Sequence, residues 1–250
     1  MKDRFKGFYL YLSSLVIALL HLPFAFAKSA SGSSRMSFHP GDSAIRNTSD
    51  SMYFAPETRS LYDSLHLSLL GLSKDAFDYA KRGFDKLIEE GKLLNNSIIS
   101  IVDFSQPSNK KRLFVIDLKN YKVLFNTLVA HGRNTGRELA TSFSNQSSSY
   151  KSSPGFYVTR ETYQGKHGLS LKLEGIESGI NDKAYQRGIV VHGAEYVSDA
   201  IANAQGFIGR SQGCPAVPVH TSTPIINTIK NGTCYFIYHP SYIDQSEVLN

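Results

Sequence analysis

The sequence RGIVVHGAEYVS at residues 187–198 is followed, at residues 209–218, by GRSQGCPAVP. The apolar run in the first segment predicts a buried strand that ends in His192-Gly193. The second segment is punctuated by glycine and proline and predicts a tight turn carrying Cys214, 22 residues after His192. Because a strand end and a turn can meet across such an interval, we expect the imidazole and the thiol to share one site.

These two side chains have the chemistry of a nucleophile and its base. Cysteine attacks as the thiolate, and a nearby imidazole can accept the thiol proton. If the turn is nest-like, the backbone N–H groups of Gly213 and Cys214 can point at one oxygen and form an oxyanion hole. The residues therefore predict Cys214 and His192 as a catalytic pair, with Gly213 as an oxyanion donor.

The same residues resemble a known family. His192-Gly193 and the Ser-Gln-Gly-Cys run at 211–214 are similar to the His-Gly and Ser/Thr-His-Gly-Cys motifs of the cell-wall L,D-transpeptidase catalytic domain, often called YkuD-type. The resemblance covers residues 98–238. Two positions depart from the pattern, because Gln212 stands where the family has His and Ala216 where it usually has Asn or Arg. The chain therefore resembles a divergent branch of the family.

The resemblance implies a fold and a reaction. The fold is mainly β, a sandwich-like catalytic domain, here with an N-terminal helical layer. The implied reaction is transfer of a peptidoglycan stem tetrapeptide through a thioester on Cys214, giving 3→3 cross-links, with His192 as the base. The family also implies that a backbone carbonyl, here that of Gly193, orients the imidazole. Thiol acyl transfer needs no cofactor and no metal.

Four further residues are candidate substrate-binding groups. The guanidinium of Arg210 can bind a stem carboxylate through two hydrogen bonds. Tyr163 and His167 lie in a glycine-rich segment, 162–168, that we expect to form a loop along the donor pocket. Ser211 lies in the motif itself, and we expect its hydroxyl to stabilise the turn rather than to attack. Each of the four also has a plain structural interpretation, such as bracing a loop.

The two cysteines allow a different interpretation. Cys214 and Cys234 are the only two cysteines, and exported proteins often pair such residues in a disulfide. The motif around Cys214 favours a free thiol. Cys234 lies in an apolar run, TCYFIY at 233–238, where a small thiol fits a core strand without any chemistry.

Three other functions stay open. Water in place of an amine would resolve the thioester and make the protein an L,D-carboxypeptidase. A non-catalytic wall-binding module is the second alternative. Metal-dependent hydrolysis is the third, although the chain has neither His-Glu-x-x-His nor Cys-x-x-Cys. Its candidate ligands would be His131, His167, His192, Cys214 and His220.

The composition is that of a globular protein with a modest positive charge. The formal net charge is +6, and the Lys and Arg residues are scattered rather than clustered with aromatic residues. This pattern argues against nucleic-acid binding. Scattered positive charge suits an encounter with an acidic polymer, and peptidoglycan stem peptides carry carboxylates.

The N-terminal residues predict export. Residues 1–27 have a basic start, an apolar segment and an Ala-Phe-Ala end, which is typical of a cleaved signal peptide. An uncleaved anchor is the alternative, and after cleavage we expect no stable membrane insertion. Residues 28–55 are rich in Ser and Gly and predict a flexible linker. The predicted location is the periplasm or cell envelope, and the oligomeric state is not indicated.

The remaining residues predict two layers and a tail. Residues 56–96 show helical periodicity, first in the spacing of Leu61, Leu65, Leu69 and Leu72 and then in a second helix after Ser73. Residues 97–240 form the catalytic domain, beginning with three strands, with helices at 197–205 and 221–229. Residues 241–250 predict a polar tail.

Overall fold

The computed structural model describes residues 60–250 of the chain. The predicted signal peptide, the linker and the first residues of the helical layer therefore lie outside the described residues. Within 60–250, none of the helices has both the length and the apolar character needed to cross a membrane.

The described residues are mainly β, and the predicted fold class is confirmed. The strands are β1 (Ile98–Asp103), β2 (Leu113–Asp117), β3 (Lys122–Thr127), β4 (Gly155–Gly165), β5 (Gly168–Gly175), β6 (Val190–Gly193), β7 (Ala216–Val217) and β8 (Cys234–Tyr238). The helices are α1 (Leu61–Ser64), α2 (Lys74–Glu89), α3 (Asp199–Gln205), α4 (Val219–Ile229) and a final 3₁₀ helix (Pro240–Gln245).

The eight strands form one strongly curved sheet. Their order is β3-β2-β1-β8-β4-β5-β6-β7, with parallel pairing only for β1 with β8 and for β6 with β7. The two ends of this order approach each other, because the N–H of Ala130, just after β3, donates to the carbonyl of Ala216 in β7 at 2.8 Å. This isolated bridge nearly closes the sheet into a barrel-like sandwich.

Both faces of the central strands are buried, which explains their continuous apolar sequences. In β8, Cys234 and Phe236 join the core beneath α2, while Tyr235 and Ile237 join the opposite core beneath α4. The period-two alternation of a strand therefore supplies two cores from one run of residues. Val191 of β6 and Val217 of β7 also belong to the second core, so these two strands, which lie at one end of the sheet order, are packed against it.

Helix α2 matches its sequence pattern closely. The hydroxyl of Ser73 accepts a hydrogen bond from the N–H of Ala76 at 3.2 Å and caps the helix. The helix buries one apolar stripe against the sheet. At its closest approach, a Cβ on Gly83 would lie 2.0 Å from Cζ of Phe156 in β4. Glycine therefore allows the helix to pack directly on an aromatic ring.

The first predicted helix is much shorter than its leucine spacing suggested. Helix α1 ends at Ser64, and residues 65–71 form successive turns, with His66 at a positive φ of 51°. Leu65 and Leu72 are buried, whereas Leu69 is 84% exposed. Turns, and not a continuous helix, therefore bring Leu65 and Leu72 into the core and leave Leu69 at the surface. Helix α4 also begins two residues before the predicted start.

The predicted polar tail is wrong as a description of residues 241–250. Tyr242, Val248 and Leu249 are buried in the core under α2. The buried carboxylate of Glu177 accepts hydrogen bonds from the Tyr242 hydroxyl at 2.6 Å and the Ser246 hydroxyl at 2.5 Å. The partner of the tail lies far away in sequence, so the local composition gave no sign of this anchoring.

Candidate active site

The sheet brings His192 and Cys214 to one cavity. His192 pairs with Ser170 of β5 on one side and with Ala216 of β7 on the other. The chain leaves β6, forms α3 and a loop, and returns through Cys214 into β7. The cavity has a volume of about 680 Å³. Its walls include six of the predicted site residues: Tyr163, His167, His192, Arg210, Ser211 and Cys214.

The imidazole of His192 is fixed by the backbone of the next residue. Its Nδ1 lies 2.9 Å from the carbonyl oxygen of Gly193, as the resemblance implied. A carbonyl only accepts, so Nδ1 carries the hydrogen and Nε2 keeps a lone pair. Burial lowers the pKa of His192, and the Gly193 carbonyl partly opposes this effect. The ring is therefore a neutral imidazole with a free basic nitrogen.

Close packing against helix α4 accounts for glycine at position 193. A Cβ at this position would lie 2.8 Å from Oγ of Ser222 in helix α4. Cβ of Ser222 and Cα of Val219 follow at 3.1 and 3.3 Å, so a side chain at position 193 would crowd the first turns of helix α4. Glycine after His192 thus has a steric reason, whereas the hydrogen bond to the imidazole needs only a backbone carbonyl.

The thiol of Cys214 is free and partly exposed. Its sulfur donates to the carbonyl of Gly188 at 3.7 Å, so in this structure the hydrogen bond of the thiol goes to the loop before β6 and not to the imidazole. Burial raises the pKa of the Cys214 thiol, while the Val190 N–H and the positive charge of Arg187 lower it. With the pKa of the imidazole lowered, the resting pair is a neutral thiol and a neutral imidazole.

The turn before Cys214 differs from the prediction in one respect. The N–H of Gly213 is not free, because it donates to Oγ of Ser211 at 3.0 Å. The same hydroxyl donates to the carbonyl of Cys214 at 2.6 Å, so Ser211 braces the turn, as predicted. Gly213 has a φ of 120°, and a Cβ there would lie 2.8 Å from the carbonyl oxygen of Lys151. Serine side chains often hydrogen-bond to nearby backbone groups in turns, which explains why the Ser211 hydroxyl accepts the N–H of Gly213.

The predicted glycine-rich loop is a tight hairpin. Strand β4 continues to Gly165 and β5 begins at Gly168, so only Lys166 and His167 form the connection. The ring of His167 stacks on that of His192, with centroids 4.6 Å apart. Tyr163 lies on the same hairpin and is 42% exposed. The glycines mark the two ends of a turn between paired strands, which is why a loop was expected.

Arg210 lies at the rim of the cavity and is exposed. Its Nη1 reaches the carbonyl oxygens of Gly136 at 3.3 Å and Arg133 at 3.4 Å. Both distances are long for hydrogen bonds, so the guanidinium is only loosely held by the protein. The structure therefore places Arg210 in the candidate site with guanidinium N–H groups that remain available to a ligand.

Sequence reasoning missed Arg187 as a site residue. Its guanidinium is half-buried and donates to the carbonyls of Ser144 at 2.9 Å and Lys151 at 2.7 Å, and to the Ser153 hydroxyl at 2.7 Å. It thereby ties the segment 144–153 to the start of the motif strand, close enough to Cys214 to lower the pKa of the thiol. Its position as the first residue of the motif segment was the available signal.

Other missed residues form the outer wall of the cavity. They are Arg133, Tyr150, Lys166 and Tyr196. Arg133 lies over the ring of Tyr150, with Cζ 3.9 Å from the ring centroid. Burial raises the pKa of Tyr196 to about 12, so its hydroxyl stays protonated. These residues are distant from the motif in sequence, and no local pattern marks them.

Among the described residues, the histidines outside this cavity do not assemble a metal centre. Within residues 60–250, no group of three or more His, Cys, Asp or Glu side chains is placed to hold a metal ion. His131 is fully buried between Nη2 of Arg112, 2.8 Å from its Nδ1, and the carbonyl of Gly136, 3.2 Å from its Nε2. Burial and the charge of Arg112 lower the pKa of His131 to about 4. His131 is thus a core residue of the fold.

The disulfide alternative is wrong. Cys214 and Cys234 are both free, and Cys234 is fully buried in β8. Burial in the apolar core strongly raises the pKa of the Cys234 thiol, which keeps it protonated. Cys234 is therefore the small core residue that the sequence suggested.

Comparison with solved structures gives several matches at low identity. An L,D-transpeptidase from Mycobacterium smegmatis is 10% identical, with a TM-score of 0.37, and the match covers 57% of this chain and 59% of that one. L,D-transpeptidase 3 from Mycobacterium tuberculosis, in complex with a faropenem-derived adduct, is 13% identical, with a TM-score of 0.35 and coverage of 57% and 60%. The helical cell shape determining protein Pgp2 from Campylobacter jejuni is 15% identical, with a TM-score of 0.39 and coverage of 63% and 56%.

The chain thus spans 59% of the length of the first of these structures. A search of curated proteins found no match. The family comparison is more extensive, since the model of the L,D-transpeptidase catalytic domain, YkuD_2, matches residues 69–238, which is more than half of the chain. By this match, the chain belongs to the L,D-transpeptidase catalytic domain family.

Proposed function

We propose that this protein is a cysteine-dependent peptidoglycan L,D-transpeptidase that acts outside the cytoplasm on stem tetrapeptides. The observation that carries the proposal is the orientation of His192. Its Nδ1 is held by the Gly193 carbonyl at 2.9 Å, which leaves the basic Nε2 available in the cavity that contains the Cys214 thiol. Membership of the family supplies the class of substrate. The predicted signal peptide is the reason to place the reaction in the envelope.

The first step would form the thioester. Nε2 of His192 takes the thiol proton as Sγ attacks the carbonyl of the third stem residue, at the L-centre of its diamino acid. The C–N bond to D-Ala then breaks, and His192 returns the proton to the departing amine. A neutral thiol and a neutral imidazole in the resting state suit this order of steps, because Nε2 of His192 is free to accept the proton at the moment of attack.

The second step would release the acyl group to an acceptor. The amine of a neighbouring stem attacks the thioester, giving a 3→3 cross-link and restoring the thiol. The backbone N–H of Cys214 is our proposed oxyanion donor in both steps. The N–H of Gly213 can join it only when the Ser211 hydroxyl rotates away, since the two groups are hydrogen-bonded at 3.0 Å. Arg210 would hold a stem carboxylate.

The nucleophile is tested by intact-protein mass spectrometry with a carbapenem, whose strained carbonyl acylates activated thiols. We expect an adduct on the wild type and none on Cys214→Ser. His192→Ala should form the adduct far more slowly, because the thiol loses its base. Cys234→Ser is the matched control and should react like the wild type. An adduct that persists in Cys214→Ser would contradict the proposal.

The outcome of the second step is tested on a disaccharide tetrapeptide. Transpeptidation predicts dimers, whereas hydrolysis predicts tripeptide monomers and an L,D-carboxypeptidase. Binding without release of D-Ala from the wild type would instead indicate a wall-binding module. Mass spectrometry of the products separates these results.

A further inference from the structure

The charged side chains that line the candidate active-site cavity are all basic. Four cationic side chains line it, and no Asp or Glu side chain is among the lining residues. The cations are Arg133, Lys166, Arg187 and Arg210. A concave surface lined by one sign of charge focuses the electrostatic field and attracts ligands of the opposite sign. This charge pattern therefore favours the binding of an anionic group in the cavity.

The arginines differ in how far the protein already satisfies them. Arg187 is used internally, since its guanidinium donates to several carbonyl and hydroxyl oxygens of segment 144–153. Arg210 has only its two long contacts to carbonyls. Arg133 presents the face of its guanidinium to Tyr150, which leaves the N–H edge available. Neither Arg133 nor Arg210 forms an ion pair with another of the described residues.

Backbone hydrogen bonds hold these two arginines beside the nucleophile turn. The N–H of Arg133 donates to the Ser211 carbonyl at 2.8 Å, and Gly132 and Ser211 form a parallel bridge. Arg210 directly precedes Ser211 and contacts the carbonyl of Arg133. The segment beneath Arg133 is fixed in turn, because the Tyr150 carbonyl accepts the N–H of Asn134 at 3.2 Å. The backbones of both arginines thus belong to a framework that also positions Cys214.

We propose that Arg133 and Arg210 form a carboxylate-binding subsite that selects donor stems whose diamino acid carries a free side-chain carboxylate. The inference rests on the proposed function and names its preferred donor. A carboxylate would offset the mutual repulsion of the cations and accept charge-assisted hydrogen bonds from both guanidiniums. An amidated stem would lack that charge and would leave the N–H groups of both guanidiniums without an anionic partner. The subsite therefore discriminates between two donors that differ in one group.

The test measures binding, so that it does not depend on turnover. Two tetrapeptides are used that are identical except that the side-chain carboxylate of meso-diaminopimelate is free in one and amidated in the other. Calorimetry with Cys214→Ala should show tighter binding of the free form by about tenfold or more. Adding Arg133→Gln should remove most of this preference, and Arg133→Lys should retain part of it.

Arg137→Gln is the matched control. Arg137 is exposed, lies in the same segment and stacks on Phe207 at 4.7 Å, but it does not line the cavity. This variant should keep the full preference. Equal affinities for the two tetrapeptides, no binding of the free form, or an unchanged preference in Arg133→Gln would each overturn the subsite.

The wild type separates failure of the subsite from failure of the proposed function. Selective binding of the free form without any release of D-Ala would contradict acyl transfer and support the subsite. Release of D-Ala at equal rates from both donors would support acyl transfer and contradict the subsite.

Discussion

The imidazole ring of His167 stacks on that of His192, with ring centroids 4.6 Å apart and an angle of 24° between the ring planes. His167 lies at the tip of the β4–β5 hairpin, so this turn places a second titratable ring against the candidate base. Burial is the main cause of the lowered pKa of His192, and the neighbouring His167 lowers it further. The hairpin therefore influences both the position and the basicity of His192.

Replacing His167 should change the acid side of the pH profile. In the proposed mechanism acylation requires neutral His192, so the rate should fall as the pH drops through the pKa of that residue. His167→Phe keeps a stacked ring but removes the imidazole that lowers the pKa of His192, so that pKa should rise and the fall in rate should move to higher pH. His167→Ala should also lower the maximal rate, because the stack is lost. The rate of carbapenem adduct formation, measured as a function of pH, reports both effects. Identical pH profiles for the wild type and the variants would contradict the influence of His167 on His192.

Arg187 should affect the thiol through its charge and the neighbouring segment through its hydrogen bonds. Arg187→Gln removes a cation that lowers the pKa of Cys214, so alkylation by iodoacetamide near neutral pH should slow by about two- to tenfold. Arg187→Lys should alkylate at nearly the wild-type rate. Both variants should expose segment 144–153 to proteolysis, because lysine cannot reproduce the forked contacts. Equal alkylation of all three proteins would show that charge is not involved.

Gly83→Ala should destabilise the fold despite its favourable effect on helix propensity. Alanine is better than glycine in a helix by about 1 kcal/mol. The added Cβ, however, would lie 2.0 Å from the ring of Phe156, and overpacking of this kind costs about 1–3 kcal/mol. We expect a net loss of up to about 2 kcal/mol in the free energy of unfolding, measured by urea denaturation. Glu89→Ala, at an exposed position of the same helix, should change stability little.

Tyr242→Phe should weaken the anchoring of the C-terminal segment. The Tyr242 hydroxyl donates to the buried Glu177 carboxylate at 2.6 Å, and its loss leaves that carboxylate with one donor fewer. The expected cost is about 1–3 kcal/mol in the free energy of unfolding. Tyr185→Phe is the control, since its hydroxyl donates to Glu161 at 2.7 Å in an exposed pair and should contribute little. Equal stability of both variants would contradict the anchoring.

Elements with a strong local signal were predicted well. The capping hydroxyl of Ser73 and the apolar stripe that follows it gave the position of helix α2. Continuous apolar runs gave strands β1 and β8, because strands buried on both faces carry no polar positions. The leucine spacing at 61–72 misled, because the segment after Ser64 folds through turns that bury Leu65 and Leu72 but leave Leu69 exposed.

The sequence alone determined that a thiol and an imidazole are carried by a turn and by a strand end within one mainly β family. Local residue order suffices for this, because the glycines at 193 and 213 mark positions where the chain packs closely and, at Gly213, takes a positive φ of 120°. The tertiary structure decided the rest: the neutral state of the pair, the engagement of the Gly213 N–H by Ser211, and the basic wall formed by Arg133, Arg187 and Arg210. These features depend on burial and on charges brought together from distant segments, which only the folded chain specifies.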